Sequence, residues 1–239
     1  MRYLLWVLLN LRLYHLLFPT RSRLADKYLS GSGIEIGALH LPLPVPDRAK
    51  VRYVDHAPVE KLRTIYPELG IYRLTPVDII DNGETLDTIP LVSQDFIIAN
   101  HFIEHCENPV KTLITHLSRL KPGGILYLSV PDKNKTFDRP RSITHLDHVI
   151  KDYEAGPEES RIEHYREWVQ VMERLPAEKI EPRVQELMSK KYSIHFHVWQ
   201  LADFQKLLEY AKQVLLQRFS IKETALTRNE FIFILKKDG

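Results

Sequence analysis

Residues 95–132 read DFIIANHFIEHCENPVKTLITHLSRLKPGGILYLSVPD, and their pattern decides the fold. DFIIAN at 95–100 is a continuous apolar run of the kind buried on both faces of a parallel sheet. Val110, Leu113, Ile114 and Leu117 then recur at helical spacing, and Lys121-Pro122-Gly123-Gly124 ends the helix. ILYLSV at 125–130 is a second buried run. A strand, a returning helix and a second strand make a parallel crossover, which is right-handed in nearly every known case.

The same alternation extends outward from this unit. Upstream, GIEI at 33–36 and VRYV at 51–54 are short apolar strands, ending at Gly37 and Asp55. Pro58 opens a helix with Val59, Leu62 and Ile65 on one face, and IYRLTPV at 71–77 reads as a third strand leading to Asp78 and Asp81. Residues 133–192 turn polar and helix-rich, with THLDHVIKDYEAG and PEESRIEHYREWVQVMERL, and are expected to form an insertion that caps a cleft. LADFQKLLEYA then forms a helix, and VLLQRFSIKE and EFIFILKK close the chain as an antiparallel hairpin. The expected class is α/β: a doubly wound, mostly parallel seven-stranded sheet with an antiparallel C-terminal hairpin and a helical insertion. Four segments follow: a helical 1–30, an α/β core 31–132, the cap 133–192, and 193–239 completing the sheet.

The bulk composition narrows the class of partner. With 239 residues, 33 Lys plus Arg and 31 Asp plus Glu, the net charge of +2 carries no nucleic-acid footprint. Cys106 is the only cysteine, which excludes an internal disulfide framework or a CxxC motif and suits a cytoplasmic setting. MRYLLWVLLNLRLYHLLF at 1–18 is apolar nearly all round; interrupted by Asn10, Arg12 and His15, it is too short to span a bilayer and lacks a signal-peptide cleavage pattern. It suits either a peripheral helix with Arg2, Arg12, Arg21 and Arg23 meeting anionic head groups or a helix docked on the protein's own core. Oligomeric state is not legible.

Gly37, Asp55, Asp81, Asn100 and Asp132 all fall at or just past strand carboxyl ends, the rim where open α/β sheets bind ligands. Asp55 lies 18 positions after Gly37, close to the roughly 20 expected of a ribose-binding carboxylate. Taken with NHFIEHCENPVKTLITHLSRLKPGGILYLSVPD at 100–132, the series over residues 33–132 resembles the cofactor-binding half of class I S-adenosylmethionine-dependent methyltransferases. The stretches GIEIGALHLPLPVP at 33–46 and TFDRPR at 136–141 are similar to a bacterial subgroup of that family often found near polysaccharide assembly.

The resemblance implies S-adenosyl-L-methionine as cofactor. It implies that Glu35, Gly37 and Ala38 lie under the methionine part, that Asp55 takes the ribose hydroxyls, that Asp81 approaches the adenine amine, and that Asn100 and His101 line the sulfonium. Each acid also has a local reading: Asp55 as a helix cap, Asp81 in an Asx turn with Asn82-Gly83, Glu35 as a surface strand residue. One departure stands out, since the family's further glycines two and four positions after Gly37 are Leu39 and Leu41 here, followed by Pro42, Pro44 and Pro46. The loop is therefore expected to take a stiffer course.

The implied reaction is methyl transfer to a hydroxyl of a sugar or glycan precursor, for which a base is needed; histidine, with an ordinary pKa of about 6.5, suits the task. His101, His148 and His197 are the chosen candidates; His105, His145, His164 and His195 are further ones. Asp152, four residues after His148, suits orienting its ring. His195 and His197 have a spacing that suits one metal, yet a base or cleft role is preferred and no metal ligand is assigned. Lys133, Lys135, Arg139 and Arg141 form a basic stretch that suits either a phosphate on the acceptor or plain solvation. Two other functions remain open: an NAD-dependent dehydrogenase, against which stands the missing GxGxxG pattern, and a membrane-associated scaffold that keeps the fold without catalysis.

Overall fold

A computed structural model describes residues 18–216 and 218–239, so the apolar amino-terminal stretch lies, except for Phe18, outside the described residues. Strands β1 (Gly31–Ile36), β2 (Ala49–Asp55), β3 (Ile79–Ile80), β4 (Gln94–Asn100), β5 (Leu120–Pro131), β6 (Phe219–Leu226) and β7 (Glu230–Lys237) form one sheet. Their order is β3-β2-β1-β4-β5-β7-β6. The pairs among β1 to β5 are parallel, and β7 runs antiparallel to both β5 and β6. The doubly wound mixed sheet with a closing antiparallel hairpin is thus the architecture of the chain.

Alternating strand residues feed two apolar layers. Ile97, Ala99, Leu126 and Leu128 face α3 (Pro109–Arg119) and α7 (Leu201–Val214), where Val110, Leu113, Phe204 and Leu208 are fully buried. Phe96, Ile98, Tyr127 and Ile234 face the other way and pack with Leu24 and Leu29 around α1 (Pro19–Tyr28). Helix α3 starts where it does because Pro109 fills its first position and the Asn108 side chain accepts from the Lys111 amide at 3.0 Å.

The cap is made of α4 (Leu146–Ala155), α5 (Glu158–Glu167), a π-turn at Trp168–Glu173 and α6 (Ala177–Ser189). It has an apolar cluster of its own, built on Tyr165, Val169, Val184 and Leu187 and joined by Ile194 and Phe196 from the extended segment that follows.

Several boundaries differ from expectation. The third strand is only Ile79–Ile80, because the stretch before it carries Pro76 and spends its polar groups on loop closure. The Thr75 amide donates to the Leu39 carbonyl at 2.6 Å, and the Asp78 carboxylate accepts from the Tyr53 amide at 2.8 Å. Strand β1 begins at Gly31 rather than Gly33, and β5 begins at Leu120, running through the Lys-Pro-Gly-Gly turn. Val214 closes α7 instead of opening a strand.

Strands β1 and β4 approach closely at Gly33, where a Cβ would collide with the Phe96 carbonyl oxygen and ring. The nearest obstacle, the Phe96 carbonyl oxygen, is backbone, so relief requires parting the central pair of the sheet. Gly33→Ala is expected to destabilise the protein by about 1–3 kcal/mol or more, read as a lower urea midpoint; an unchanged midpoint would contradict this packing.

Candidate active site

In the observed strand order the chain reverses direction of winding between β1 and β4, and side chains from both carboxyl ends meet at that switch point. Glu35, Gly37 and Ala38 from the end of β1, Asn100 and His101 from the end of β4, and His105 and His195 line a cavity of about 400 Å³. That volume falls within the range of small-molecule sites. Gly37 has φ +63° and open space where a Cβ would stand, so its backbone is presented bare to the cavity. Its amide donates to the Val54 carbonyl at 2.9 Å, which anchors the turn to β2.

The proline-rich loop after Gly37 is held from below. Both Glu35 carboxylate oxygens accept from the Leu43 amide, at 2.9 and 3.1 Å. Burial is the main influence on this carboxyl and pushes its pKa up to about 8, against the opposing pull of the Leu43 amide and Arg21. Leu39, standing where the family has glycine, takes the left-handed conformation with φ +46°. The chain therefore adopts the backbone course that glycine would favour and bears the strain of doing so.

Glu230, at the start of β7, organises one wall. Arg21 from α1 donates to it with Nε at 2.8 Å and with Nη2, and Arg21 Nη2 also reaches Ser129 Oγ at 3.2 Å. His101 Nε2 lies 2.6 Å from Glu230 Oε2, the oxygen that Arg21 Nη2 also reaches. Burial works against charge on Glu230, but the bonds from Arg21 and His101 outweigh it and bring its pKa down to about 2. His101 itself sits at φ +48°, a conformation that turns its ring off the end of β4.

His195 forms a second arrangement of the same kind. Its Nδ1 donates to Asp138 Oδ2 at 2.7 Å, and Arg141 braces the pair, donating to Asp138 Oδ1 at 3.2 Å and to the His195 carbonyl at 2.7 Å. Burial opposes charge on Asp138, yet the hydrogen bond from His195 and the guanidinium hold its carboxyl below the ordinary range. Glu104, fully buried and raised by that burial, has neither oxygen hydrogen-bonded. Its Oε1 lies 3.9 Å from His101 Nδ1 and 4.0 Å from His195 Nε2, between the two imidazoles. His105 donates from Nδ1 to the Ile194 carbonyl at 2.9 Å and meets the His195 ring edge-on; burial brings its pKa down to about 3.

Of the site candidates singled out from sequence, Glu35, Gly37, Ala38, Asn100, His101, His105 and His195 thus share the cavity wall. Asp55 follows Val54, the strand residue that receives the Gly37 amide, and its Oδ1 accepts from the His56 amide at 2.8 Å. Asp81 is engaged by the turn after it, accepting from the amides of Asn82, Asp87 and Thr88 and from Thr88 Oγ1. Asp55 and Asp81 are not among the cavity-lining side chains. His148 and His197 lie elsewhere, in a cluster with His164 and Asp152 beneath the cap. Burial, then the neighbouring His148, brings His164 down to about 4, and burial takes His197 well below its ordinary value. The metal pairing weighed for His195 and His197 is divided, each ring belonging to a different cluster.

The two ends of the basic stretch are tied into the fold, while Lys135 and Arg139 between them are exposed. Arg141 is buried on Asp138 and Glu167, and Lys133 donates to the Arg139 carbonyl at 2.8 Å. Glu104, Asp138 and Glu230 were not anticipated as site residues, although Glu104 lies in NHFIEHCEN and Asp138 in TFDRPR; Arg21, expected to meet head groups, is instead buried on Glu230.

The raised carboxyl gives a pH test. Because the folded Glu35 holds its proton up to about 8, against 4.5 ordinarily, its contribution to stability is complete below about 4.5 and is lost as pH rises toward 8. Glu35→Gln keeps an acceptor for Leu43 and cannot ionise. Wild type is expected to lose stability relative to this variant by up to about 1.4 kcal/mol per pH unit across that window, measured by denaturant unfolding at fixed pH values; parallel profiles would contradict the shift.

The cavity suits a nucleotide-like cofactor with a polar amino-acid end. Gly37 presents backbone without obstruction, and the buried Asn100 amide has neither Nδ2 nor Oδ1 hydrogen-bonded within the chain while lying near the Glu35 carboxyl. Among solved structures, the fold is similar to one from Rhodobacter sphaeroides described as a candidate Zn-dependent alcohol dehydrogenase, with 15% identity, TM-score 0.51, and 95% and 90% of the two chains covered. It is also similar to a SAM-dependent methyltransferase from Thermotoga maritima, with 17% identity, TM-score 0.46 and full coverage of both chains. A third is the CurJ carbon methyltransferase, with 14% identity, TM-score 0.45 and 89% of this chain covered, which this chain matches over half its length. Comparison with curated proteins finds no match. A methyltransferase domain family model matches residues 26–211. That match spans well over half of the chain, so the protein belongs to the methyltransferase domain family, with S-adenosylmethionine as its expected cofactor.

Proposed function

We propose that the protein transfers the methyl group of S-adenosylmethionine to a hydroxyl of a sugar or glycan precursor, with His195 as general base. The observation that carries this reading is the Asp138–His195 pair on the cavity wall. Asp138 holds Nδ1–H at 2.7 Å, which fixes the tautomer and leaves Nε2 as the lone pair, on a residue that lines the cavity. Gly37 and Ala38 would hold the methionine part with Glu35 and Asn100 beneath it. Asp55, next to the Gly37 turn, would take the ribose hydroxyls, and the Asp81 turn would meet the adenine.

The cofactor supplies a methyl on an already activated leaving group, so the chain's task is to position the acceptor and manage one proton. His195 Nε2 accepts that proton from the hydroxyl, and Asp138 stabilises the resulting imidazolium. His101, fixed by Glu230 at 2.6 Å, stands beside the same space and orients the acceptor. Glu104, between the two rings, supplies a buried acidic group within reach of either.

The sugar or glycan assignment rests on the likeness of GIEIGALHLPLPVP and TFDRPR to bacterial methyltransferases near polysaccharide assembly. A cytoplasmic place, with residues 1–18 resting on the inner face of a membrane, belongs to the same proposal and rests on their apolar, arginine-bearing sequence. No helix among the described residues is long and apolar enough to cross a membrane.

The test is release of S-adenosylhomocysteine against a panel of free and nucleotide-linked sugars. His195→Ala is expected to lower kcat by roughly 10²–10⁴-fold while binding S-adenosylhomocysteine as wild type does. A variant of undiminished kcat would remove His195 as base. Failure of every hydroxyl acceptor alongside turnover of an amine or thiol would overturn the substrate class.

A further inference from the structure

Away from the cavity, His148 and Asp152 on α4, His164 on α5 and His197 on the segment before α7 bring four ligand atoms within 4.8 Å of one another. The polar atoms here are not satisfied by the chain. His148 Nε2 and His164 Nε2 face each other at 2.9 Å, and one shared proton answers that contact. Asp152 Oδ2, fully buried, lies 3.2 Å from His148 Nε2 without hydrogen-bond geometry and has no other partner. His197 Nδ1 is likewise buried and without a partner. A neutral imidazole has one N–H, and His197 Nε2 faces the Glu107 carbonyl at 3.4 Å, which leaves Nδ1 as a lone pair aimed into the cluster.

Converging lone pairs in a buried space are costly unless a cation or further protons sit among them. The surroundings are those of a metal site. The second Asp152 oxygen accepts from Ser160 Oγ, and the Glu107 carbonyl orients His197, so two ligands are held from behind. Three imidazole nitrogens and one carboxylate oxygen are ligand types that zinc accepts, and four of them fill its tetrahedral coordination, with no position left for substrate.

We propose that His148, Asp152, His164 and His197 bind one zinc ion. The ion joins two helices of the cap to the extended segment at 193–199, whose residue His195 stands on the cavity wall. Zinc therefore sets the position of the cap over the cleft while taking no part in the chemistry. The Glu104, His105 and His195 group is a different case, because His195 Nδ1 is committed to Asp138.

The full chain, stripped with chelator and then dialysed against zinc, is expected to retain one equivalent per chain by elemental analysis, with a raised thermal midpoint. His164→Ala/His197→Ala is expected to lose that equivalent. Wild type that retains no zinc, or a folded double variant that keeps it, overturns the proposal. Where the double variant fails to fold, His148→Cys loaded with cobalt decides. A thiolate-to-cobalt charge-transfer band, absent from cobalt-loaded wild type, supports ligation at position 148, and its absence refutes it. None of these readouts depends on methyl transfer, so the zinc site and the proposed reaction stand or fall separately.

Discussion

The Glu230 carboxylate is the point on which the site wall hangs. It receives Arg21 from the helix that covers one face of the sheet and His101 from the end of β4, and it begins the strand that closes the sheet. Arg21 Nη2 also donates to Ser129 Oγ of β5, and the Arg21 carbonyl accepts from Tyr127 Oη at 3.2 Å. An amino-terminal helix, two central strands and a cavity side chain are thereby bound into one buried network. Leaving either charge of such a pair without its partner typically costs about 3–5 kcal/mol. The arrangement thus couples the position of His101 to the integrity of the fold.

The second constraint is topological. Once β4 lies beside β1, crossovers leave on opposite faces and the ends of both strands open onto the same gap. Gly37 and Asn100 line that gap as a consequence of strand order. Leu39 shows how strongly the constraint acts, since it holds a left-handed backbone with φ +46° that glycine would adopt at lower cost. The Leu43 amide on Glu35 and the Thr75 amide on the Leu39 carbonyl hold the loop in that course.

Much of the sheet was legible because buried parallel strands and amphipathic helices leave strong periodic signals, as at Phe96–Ala99 and Val110–Leu117. The third strand misled because Leu74, Thr75 and Val77 look like strand residues, while Pro76 and the hydrogen bonds of Thr75 and Asp78 favour loop closure. Glu35, Gly37, Ala38, Asn100 and His101 could be read from local sequence, since topology alone delivers the ends of β1 and β4 to one gap. Arg21, Glu104, Asp138 and Glu230 could not, because their roles arise from partners far along the chain, Arg21 and Glu230 being separated by 209 positions. Histidine spacing was misleading for the same reason. His195 and His197 are two residues apart, yet one pairs with Asp138 and the other joins His148, His164 and Asp152.

We propose that the gap between β1 and β4 receives S-adenosylmethionine and not a dinucleotide. Isothermal titration of the full chain with S-adenosylhomocysteine and, separately, with NAD puts the two against each other. The account predicts saturable binding of S-adenosylhomocysteine, weakened by Gly37→Val, and weaker or no binding of NAD. Tighter binding of NAD than of S-adenosylhomocysteine would contradict it.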